Sequence, residues 1–351
     1  MSRLAGLFRP ELRELRPYRA ASFADGLARL NANETPWRPA GDRSANGLNH
    51  YPDVRPLRLT AELAALYGLA SERVLVTRGS SEAIDLLVRA LCREGRDEVM
   101  ICPPTFGMYA VYAQLQGAGV ISVPLDRDQG YQPDLDAISQ AWTARCKLLF
   151  LCSPNNPTGN LIDDRLIETL CDSLDGKAIV VWDGAYLEFA GHDASRQLLE
   201  RHDNLVVLRT LSKAWGLAGT RCGALLGTAE VVSMVGRLLP PYSFPTPCAD
   251  AVSAALESSN RATARQHVRQ LCSERERVRE ALAGNPRINR VWPSDANFLL
   301  VESPEAQALV DDARAAGLLI RDFSWDRWTP GCVRITIGTA EQNDRLIEAL
   351  H

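Results

Sequence analysis

Lys213 stands among small hydroxyl side chains in the segment LRTLSKAWGLAGTRCG (208–223), with Thr210 and Ser212 before it and Arg221 eight residues beyond. An amine in that setting suits covalent chemistry with an aldehyde that also carries a phosphate. The lysine forms the Schiff base, while the hydroxyls and the guanidinium hold the anion. Taken alone, a lysine in a loop is ordinary solvated surface. A second segment shifts that balance. The apolar run Ile179–Asp183 ends on an aspartate, within VVWDGAY, and a carboxylate at the end of a buried strand is costly unless a cation meets it. The pyridinium nitrogen of a pyridoxal phosphate ring is such a cation, and an acid beside it keeps the ring protonated as an electron sink. Tyr186, three residues on, is placed to hydrogen-bond the ring's phenolic oxygen. A helix-capping aspartate beside a packed tyrosine would read the same way.

Two turns extend the set. SPNNPTG (153–159) follows the apolar run Leu148–Cys152. It is a plain turn by composition, yet its asparagines can donate to an anionic oxygen at a strand end, where ligands of open α/β sheets collect. RGSSEA (78–83) follows another strand and opens a helix. Gly79 permits close approach, and Ser80, Ser81 and the helix N-terminus suit an anion; a simple cap by either serine is the alternative. One cofactor accounts for all four strand ends, which otherwise require independent coincidences.

Such residues need a scaffold that brings strand ends together. Val74–Thr77, Glu98–Cys102, Val120–Pro124, Leu148–Cys152, Ile179–Asp183 and Leu205–Arg209 read as strands, several of them continuous apolar runs of the kind buried on both faces of a mostly parallel sheet. Ser80–Arg93 and Met108–Gln116 read as helices between them. The alternation predicts an α/β layered domain. A charge-laced helical stretch then runs from about Ala249 to Gly284, followed by strands at Asn297–Val301, Leu318–Asp322 and Cys332–Ile337, a helix at Pro304–Ala316 and a final helix. That pattern predicts a smaller α+β domain. The first ~40 residues form an arm with little regular pattern before RLNANETPW.

The 351 residues suffice for about two domains. Lys and Arg number 39 against 43 Asp and Glu, so no global positive field exists to hold a nucleic-acid backbone. Hydrophobic residues at 46% and charged residues at 23% are ordinary for a soluble globular chain, and no apolar run approaches the ~20 residues that span a bilayer. The N-terminus has no signal-peptide core. Nine cysteines, an odd number with no C-x-x-C pair, sit mostly in apolar stretches and are expected to be buried, reduced thiols of a cytoplasmic protein. The five histidines are scattered, so no metal site is expected.

Taken together, these motifs resemble the fold-type I pyridoxal-phosphate aminotransferases. SPNNPTG and SKAWGLAGTRCG carry the resemblance to the wider family; NANETPW, NHYPD and PPTFGMY are similar to its histidinol-phosphate branch. The likeness extends over nearly the whole chain, from RPELRELRPYRA to CVRITIGT. It implies an α/β fold: a large domain at 45–255 with a mostly parallel sheet sandwiched by helices, a smaller α+β domain at 256–351, and an arm at 1–44 joining the small domain. By motif, Lys213 resembles the Schiff-base lysine and Asp183 the pyridinium partner. Tyr186 and Asn156 resemble the phenolic-oxygen hydrogen-bonders, and Phe106 the ring-stacking aromatic. Ser80, Ser81, Thr210, Ser212 and Arg221 resemble the phosphate cradle. Tyr51 resembles a tyrosine that reaches the cofactor phosphate of the neighbouring subunit, which implies a homodimer with composite sites. Arg334, in VRITIG, resembles the arginine that binds the amino-acid carboxylate; Asn33 and Tyr18 resemble substrate-side residues. Arg321 is a candidate helper for a substrate phosphate, or else a surface ion pair.

The chain departs from the family pattern at Phe106, where tyrosine is common, at Gly184, where an acid is common, and at Ser81, where aspartate is common. The expected reaction is ping-pong transamination between L-histidinol phosphate and 2-oxoglutarate, in histidine biosynthesis. Imidazole acetol phosphate and L-glutamate are the products, and Lys213 moves the α-proton. An aromatic or broad-specificity aminotransferase and a threonine-phosphate decarboxylase share these cofactor residues. A pyridoxal-phosphate-binding regulator is disfavoured, because no basic helix-turn-helix segment precedes the arm.

Overall fold

The computed structural model describes residues 3–351 except 17, 19, 20, 22, 24–26, 45 and 46. Seven strands form the larger sheet: β1 (Val74–Thr77), β2 (Glu98–Ile101), β3 (Gly119–Ser122), β4 (Cys146–Cys152), β5 (Ile179–Asp183), β6 (Leu205–Thr210) and β7 (Gly223–Leu226). They lie in the order β1-β7-β6-β5-β4-β2-β3. β7 runs antiparallel to both its neighbours, and the remaining pairs are parallel. Alternate residues of each strand enter opposite cores. Val180 and Trp182 pack with Leu59, Leu63, Ile167 and Leu198 on one face; Ile179 and Val181 pack with Ile84, Leu87, Tyr109 and Val235 on the other. Burial on both faces is why these strands read as unbroken apolar runs.

The expected strands and helices of this domain are present with ends shifted by a few residues. Ser80–Leu91 stops two residues early, and β3 starts and ends ahead of its expected bounds. β7 lies outside the expected strands: its residues GALL begin on Gly223, the last residue of the segment read as the Lys213 loop, so no separate strand stands out.

The stretch expected as one helical run divides into Thr246–Ala255 and Ser258–Ala283. Glu257 between them is extended at ψ 148°, and the Asn260 side-chain amide donates to Ala254 O at 2.8 Å. Beyond it, β8 (Arg290–Val291), β9 (Phe298–Glu302), β10 (Arg321–Asp322) and β11 (Cys332–Thr336) form an antiparallel sheet in the order β10-β11-β9-β8. Its core takes Val278 and Leu282 from the long helix, Leu309 and Ala313 from Ala306–Ala315, and Leu346 and Leu350 from Ala340–Leu350.

The arm is more ordered than its pattern suggests. Pro10–Glu14 is a short helix, and Leu4, Leu7, Phe8 and Leu12 are buried with Leu75, Ile84 and Val232 of the larger domain rather than with the four-stranded sheet. Arg237 Nη1 fastens it by donating to the carbonyls of Leu12 and Arg13 at 3.0 and 2.9 Å.

All nine cysteines are free thiols, and only Cys248 and Cys272 are partly exposed. No described helix is long and apolar enough to cross a membrane.

Candidate active site

Adjacent parallel strands end side by side, so the residues after β4, β5 and β6 are neighbours in space. Cys152 pairs in register with Asp183, and Asp183 with Leu208. The SPNNPTG turn, Asp183–Tyr186 and the Lys213 turn therefore converge without any long connection.

Asp183 is 2% exposed. Its Oδ2 accepts from Tyr109 Oη at 2.8 Å and its Oδ1 from the Ala185 amide at 3.2 Å. It caps no helix; Tyr186 occupies the N-cap of the 3-10 turn Leu187–Phe189. Burial pushes the Asp183 carboxyl up to about 6, against the pull of those two donors and of Lys213. Tyr109 is not a sequence candidate, because MYAVYAQL gives a tyrosine on an apolar helix face no distinguishing mark. It stacks on Phe150 at 4.8 Å and meets Phe106 edge-on at 5.6 Å. Burial drives its hydroxyl far above the usual tyrosine range, so it stays a neutral donor to Asp183.

Tyr186 and Asn156 share a 3.4 Å hydrogen bond from Asn156 Nδ2 to Tyr186 Oη. The Asn156 Oδ1 accepts from Arg334 Nη1 at 2.5 Å, which brings β11 of the small domain to the same place. Arg334 lies 5.3 Å from the Phe298 ring and 5.4 Å from the Phe323 ring, two aromatics that no motif marked. Asn155 holds the preceding turn: it donates to Pro104 O at 2.7 Å and accepts from Thr105 Oγ1 at 3.1 Å, fixing the segment that carries Phe106. The Asp295 carboxylate receives the Leu161 amide at 3.1 Å and Asp295 N donates to Gly159 O at 2.7 Å, tying the asparagine turn to the small domain.

The Lys213 Nζ lies 5.7 Å from the Tyr186 ring centroid. Its side chain is open to solvent overall, yet the amine is held below the usual lysine range. Partial burial is the largest cause; the Arg334 and Arg221 guanidinium groups add to it and Asp183 opposes it. A depressed lysine is the form that offers a lone pair.

A cluster of hydroxyls and one guanidinium lies beside it. Thr210 Oγ1 donates to Ser212 Oγ at 3.0 Å, and Arg221 Nη1 donates to the same Ser212 Oγ at 3.2 Å. Gly79 is the N-cap of Ser80–Leu91 at φ 77°, ψ 172°, and no side chain caps that helix, so the serine-cap alternative is not what the structure adopts. A Cβ on Gly79 would stand 2.9 Å from Arg221 Nη2. Ser80 and Ser81 therefore open the helix beside the guanidinium, with first-turn amides free for an anion.

Arg321 is the Cα partner of Arg334 across β10 and β11, so both side chains rise from one face. Among the described residues Arg321 has no ion-pair partner; Asp322 instead accepts from the Ser324 amide at 2.7 Å. Tyr18, Asn33 and Tyr51 stand apart. Tyr18 is 70% exposed and Tyr51 50% exposed, and Asn33 sits exposed on the surface at φ 56°. Tyr51 stacks on Tyr242 at 4.7 Å and shares no hydrogen bond with the Lys213 group among the described residues. No described group of three or more His, Cys, Asp and Glu side chains could hold a metal ion.

The profile of aminotransferase class I and II matches residues 28–350. A histidinol-phosphate aminotransferase of Stenotrophomonas maltophilia is 45% identical over 348 residues, covering 98% of this chain and 95% of that protein. Among solved structures, the histidinol-phosphate aminotransferase of Clostridium acetobutylicum superposes with a TM-score of 0.78 at 22% identity, covering 86% of this chain and 90% of that one. That of Sinorhizobium meliloti, in complex with pyridoxal-5'-phosphate, superposes with a TM-score of 0.77 at 24% identity, covering 86% and 82%.

Proposed function

Because the chain belongs to the class I and II aminotransferases, we propose that it transfers the amino group of L-histidinol phosphate to 2-oxoglutarate with pyridoxal 5'-phosphate as cofactor, in the cytoplasm, as a step of histidine biosynthesis. The 45% identity to a protein of that name supports the substrate. The observation that carries the cofactor is Asp183, a buried carboxylate at a strand end whose two oxygens take only a phenol and an amide. That arrangement suits a cationic ring nitrogen. The Thr210–Ser212–Arg221 cluster and the Gly79 approach suit the phosphate at the other end. When bound, the cofactor supplies an aldehyde for covalent exchange of amines and an electron-withdrawing ring.

The chain's own groups divide the remaining work. Asp183 holds the ring nitrogen's proton, with Tyr109 fixing one of its oxygens. Tyr186 and Asn156 orient the phenolic oxygen, and Phe106 covers one ring face. Ser80 and Ser81 join the phosphate cradle. Lys213, whose amine is held below the usual lysine range by partial burial and the Arg334 and Arg221 guanidinium groups, takes the substrate α-proton and returns it. Asn33 and Tyr18 line the substrate side. Residues 45–255 carry the cofactor, 256–351 bring the substrate arginines, and the arm at 1–44 completes the site. Tyr51 acts on the cofactor phosphate of a second copy, in a homodimer.

Histidinol phosphate carries a phosphate where glutamate carries its α-carboxylate, so one site must take both anions in turn. Arg334, braced by Asn156, is the forked donor for either, and Arg321 beside it adds charge for the phosphate. Arg334→Lys is expected to lower kcat/KM in both half-reactions about 10- to 100-fold, since a charge-assisted hydrogen bond is worth roughly 1.5–3 kcal/mol. Single-turnover kinetics with each substrate check it; unchanged rates with both would overturn the assignment.

A further inference from the structure

β6 carries Leu205 and Val207 into the core beneath the sheet, and the next residue on that face is an arginine. Arg209 is 4% exposed. Its Nη2 donates to Glu188 Oε1 at 2.9 Å and its Nη1 to Asp193 Oδ2 at 2.6 Å, and its Cζ lies 5.0 Å from the Tyr67 ring centroid. Two cavities of ≈ 390 and ≈ 250 Å³ flank the cluster, and Glu188, Asp193, Arg209 and Trp215 line both. Arg209 Nε, Glu188 Oε2, Trp215 Nε1 and Tyr67 Oη are buried with no hydrogen-bond partner.

A buried ion cluster with unpartnered polar atoms is a poor way to stabilise a core; an apolar side chain of similar volume serves as well or better. Its connections suggest another use. Glu188 sits two residues after Tyr186, in the 3-10 turn that Tyr186 opens. Arg209 immediately precedes Thr210 and stands four residues before Lys213. Trp215, in the turn that follows Lys213, lines the same cavities. One guanidinium thus joins the segment bearing the phenol to the strand that leads into the amine.

We propose that Arg209 is a positioning residue for transamination: by gripping Glu188 and Asp193 together it sets the separation between Tyr186 and the Lys213 turn. Arginine suits this because its planar fork engages two carboxylates at once, which a lysine cannot reproduce. The proposal rests on the roles given above to Lys213 and Tyr186.

The test uses Glu188→Gln, which keeps side-chain size and the Arg209–Asp193 pair, and Arg209→Lys, which keeps the charge. Hydrogen exchange on the apoprotein is expected to quicken in 186–190 and 211–217 together, in Glu188→Gln, with circular dichroism unchanged. In the holoprotein the pH midpoint of the visible cofactor band is expected to move. kcat should fall about 10- to 100-fold with KM within about twofold, as for a misplacement of roughly an ångström. Should Arg209→Lys fail to fold, Glu188→Gln decides alone. Parent-like exchange, band midpoint and kcat in a folded Glu188→Gln would overturn the proposal. A parent protein with no cofactor band after pyridoxal phosphate is added would overturn the aminotransferase reading itself, and that outcome appears before any variant is made.

Discussion

Asp183 shows how function and stability oppose each other at a single residue. Its carboxyl is raised by burial to about 6, so the folded apoprotein binds this proton more readily than the unfolded chain does. Stability from that difference is complete below the ordinary carboxylate range near pH 4 and is lost as pH rises through about 6. The loss amounts to about 3 kcal/mol, at roughly 1.4 kcal/mol for each tenfold difference in proton affinity between the folded and unfolded chain. Asp183→Asn is therefore expected to raise the denaturation midpoint of the apoprotein at pH 8 and to change it little at pH 4. It should also abolish turnover. Equal midpoints of parent and variant at pH 8 would contradict this account of the carboxylate. Asp183 is a candidate from sequence because it ends an apolar strand, where a charge is conspicuous, and Lys213 because small hydroxyls and an arginine surround it in the turn after β6. Tyr109 is not, since a hydroxyl on an apolar helix face looks like packing until its partner is seen. Arg334 is a candidate by motif alone, and its brace on Asn156 joins residues 178 apart in sequence.

At the scale of elements, the site is a set of strand ends and one helix start. Gly79 is the critical joint. At φ 77°, ψ 172° its backbone occupies a region essentially confined to glycine, and a side chain there would press on Arg221. Gly79→Ala is expected to destabilise the chain by about 1–3 kcal/mol through backbone strain. It should also weaken pyridoxal phosphate binding by displacing the guanidinium, an effect that fluorescence titration of the apoprotein would read. Affinity equal to the parent's would remove Arg221 from the cradle. β1 and β5 match their expected bounds because both are buried on two faces and end abruptly. β7 escapes sequence reading because it abuts the Lys213 segment, which ends on its first residue. So does the division of the 249–284 stretch, because the break at Glu257 depends on backbone geometry and an asparagine contact, and no Gly or Pro marks it.

For the whole molecule, the mostly parallel sheet flanked by helices follows from the alternation of elements along the chain, and the smaller α+β unit from the change of pattern after it. The seating of the arm does not, because Leu4, Leu7, Phe8 and Leu12 are too few to declare their partner surface in sequence. Tyr51, half-exposed and apart from Lys213, has its proposed role only between copies. Mixing Tyr51→Ala and Lys213→Ala subunits is expected to regenerate activity. Random pairing of two-fold dimers would leave roughly a quarter of the parental sites intact. Activity no greater than the sum of the separate variants would contradict composite sites.

The most direct measurement is the visible absorption spectrum of the purified protein, loaded with pyridoxal phosphate and titrated with L-histidinol phosphate in the absence of any keto acid. The predicted result is loss of the band of the lysine-bound cofactor and growth of the band of its aminated form, reversed on adding 2-oxoglutarate. A lysine-bound band that histidinol phosphate leaves unmoved would contradict the proposed substrate, and no band at all would contradict the role of Lys213.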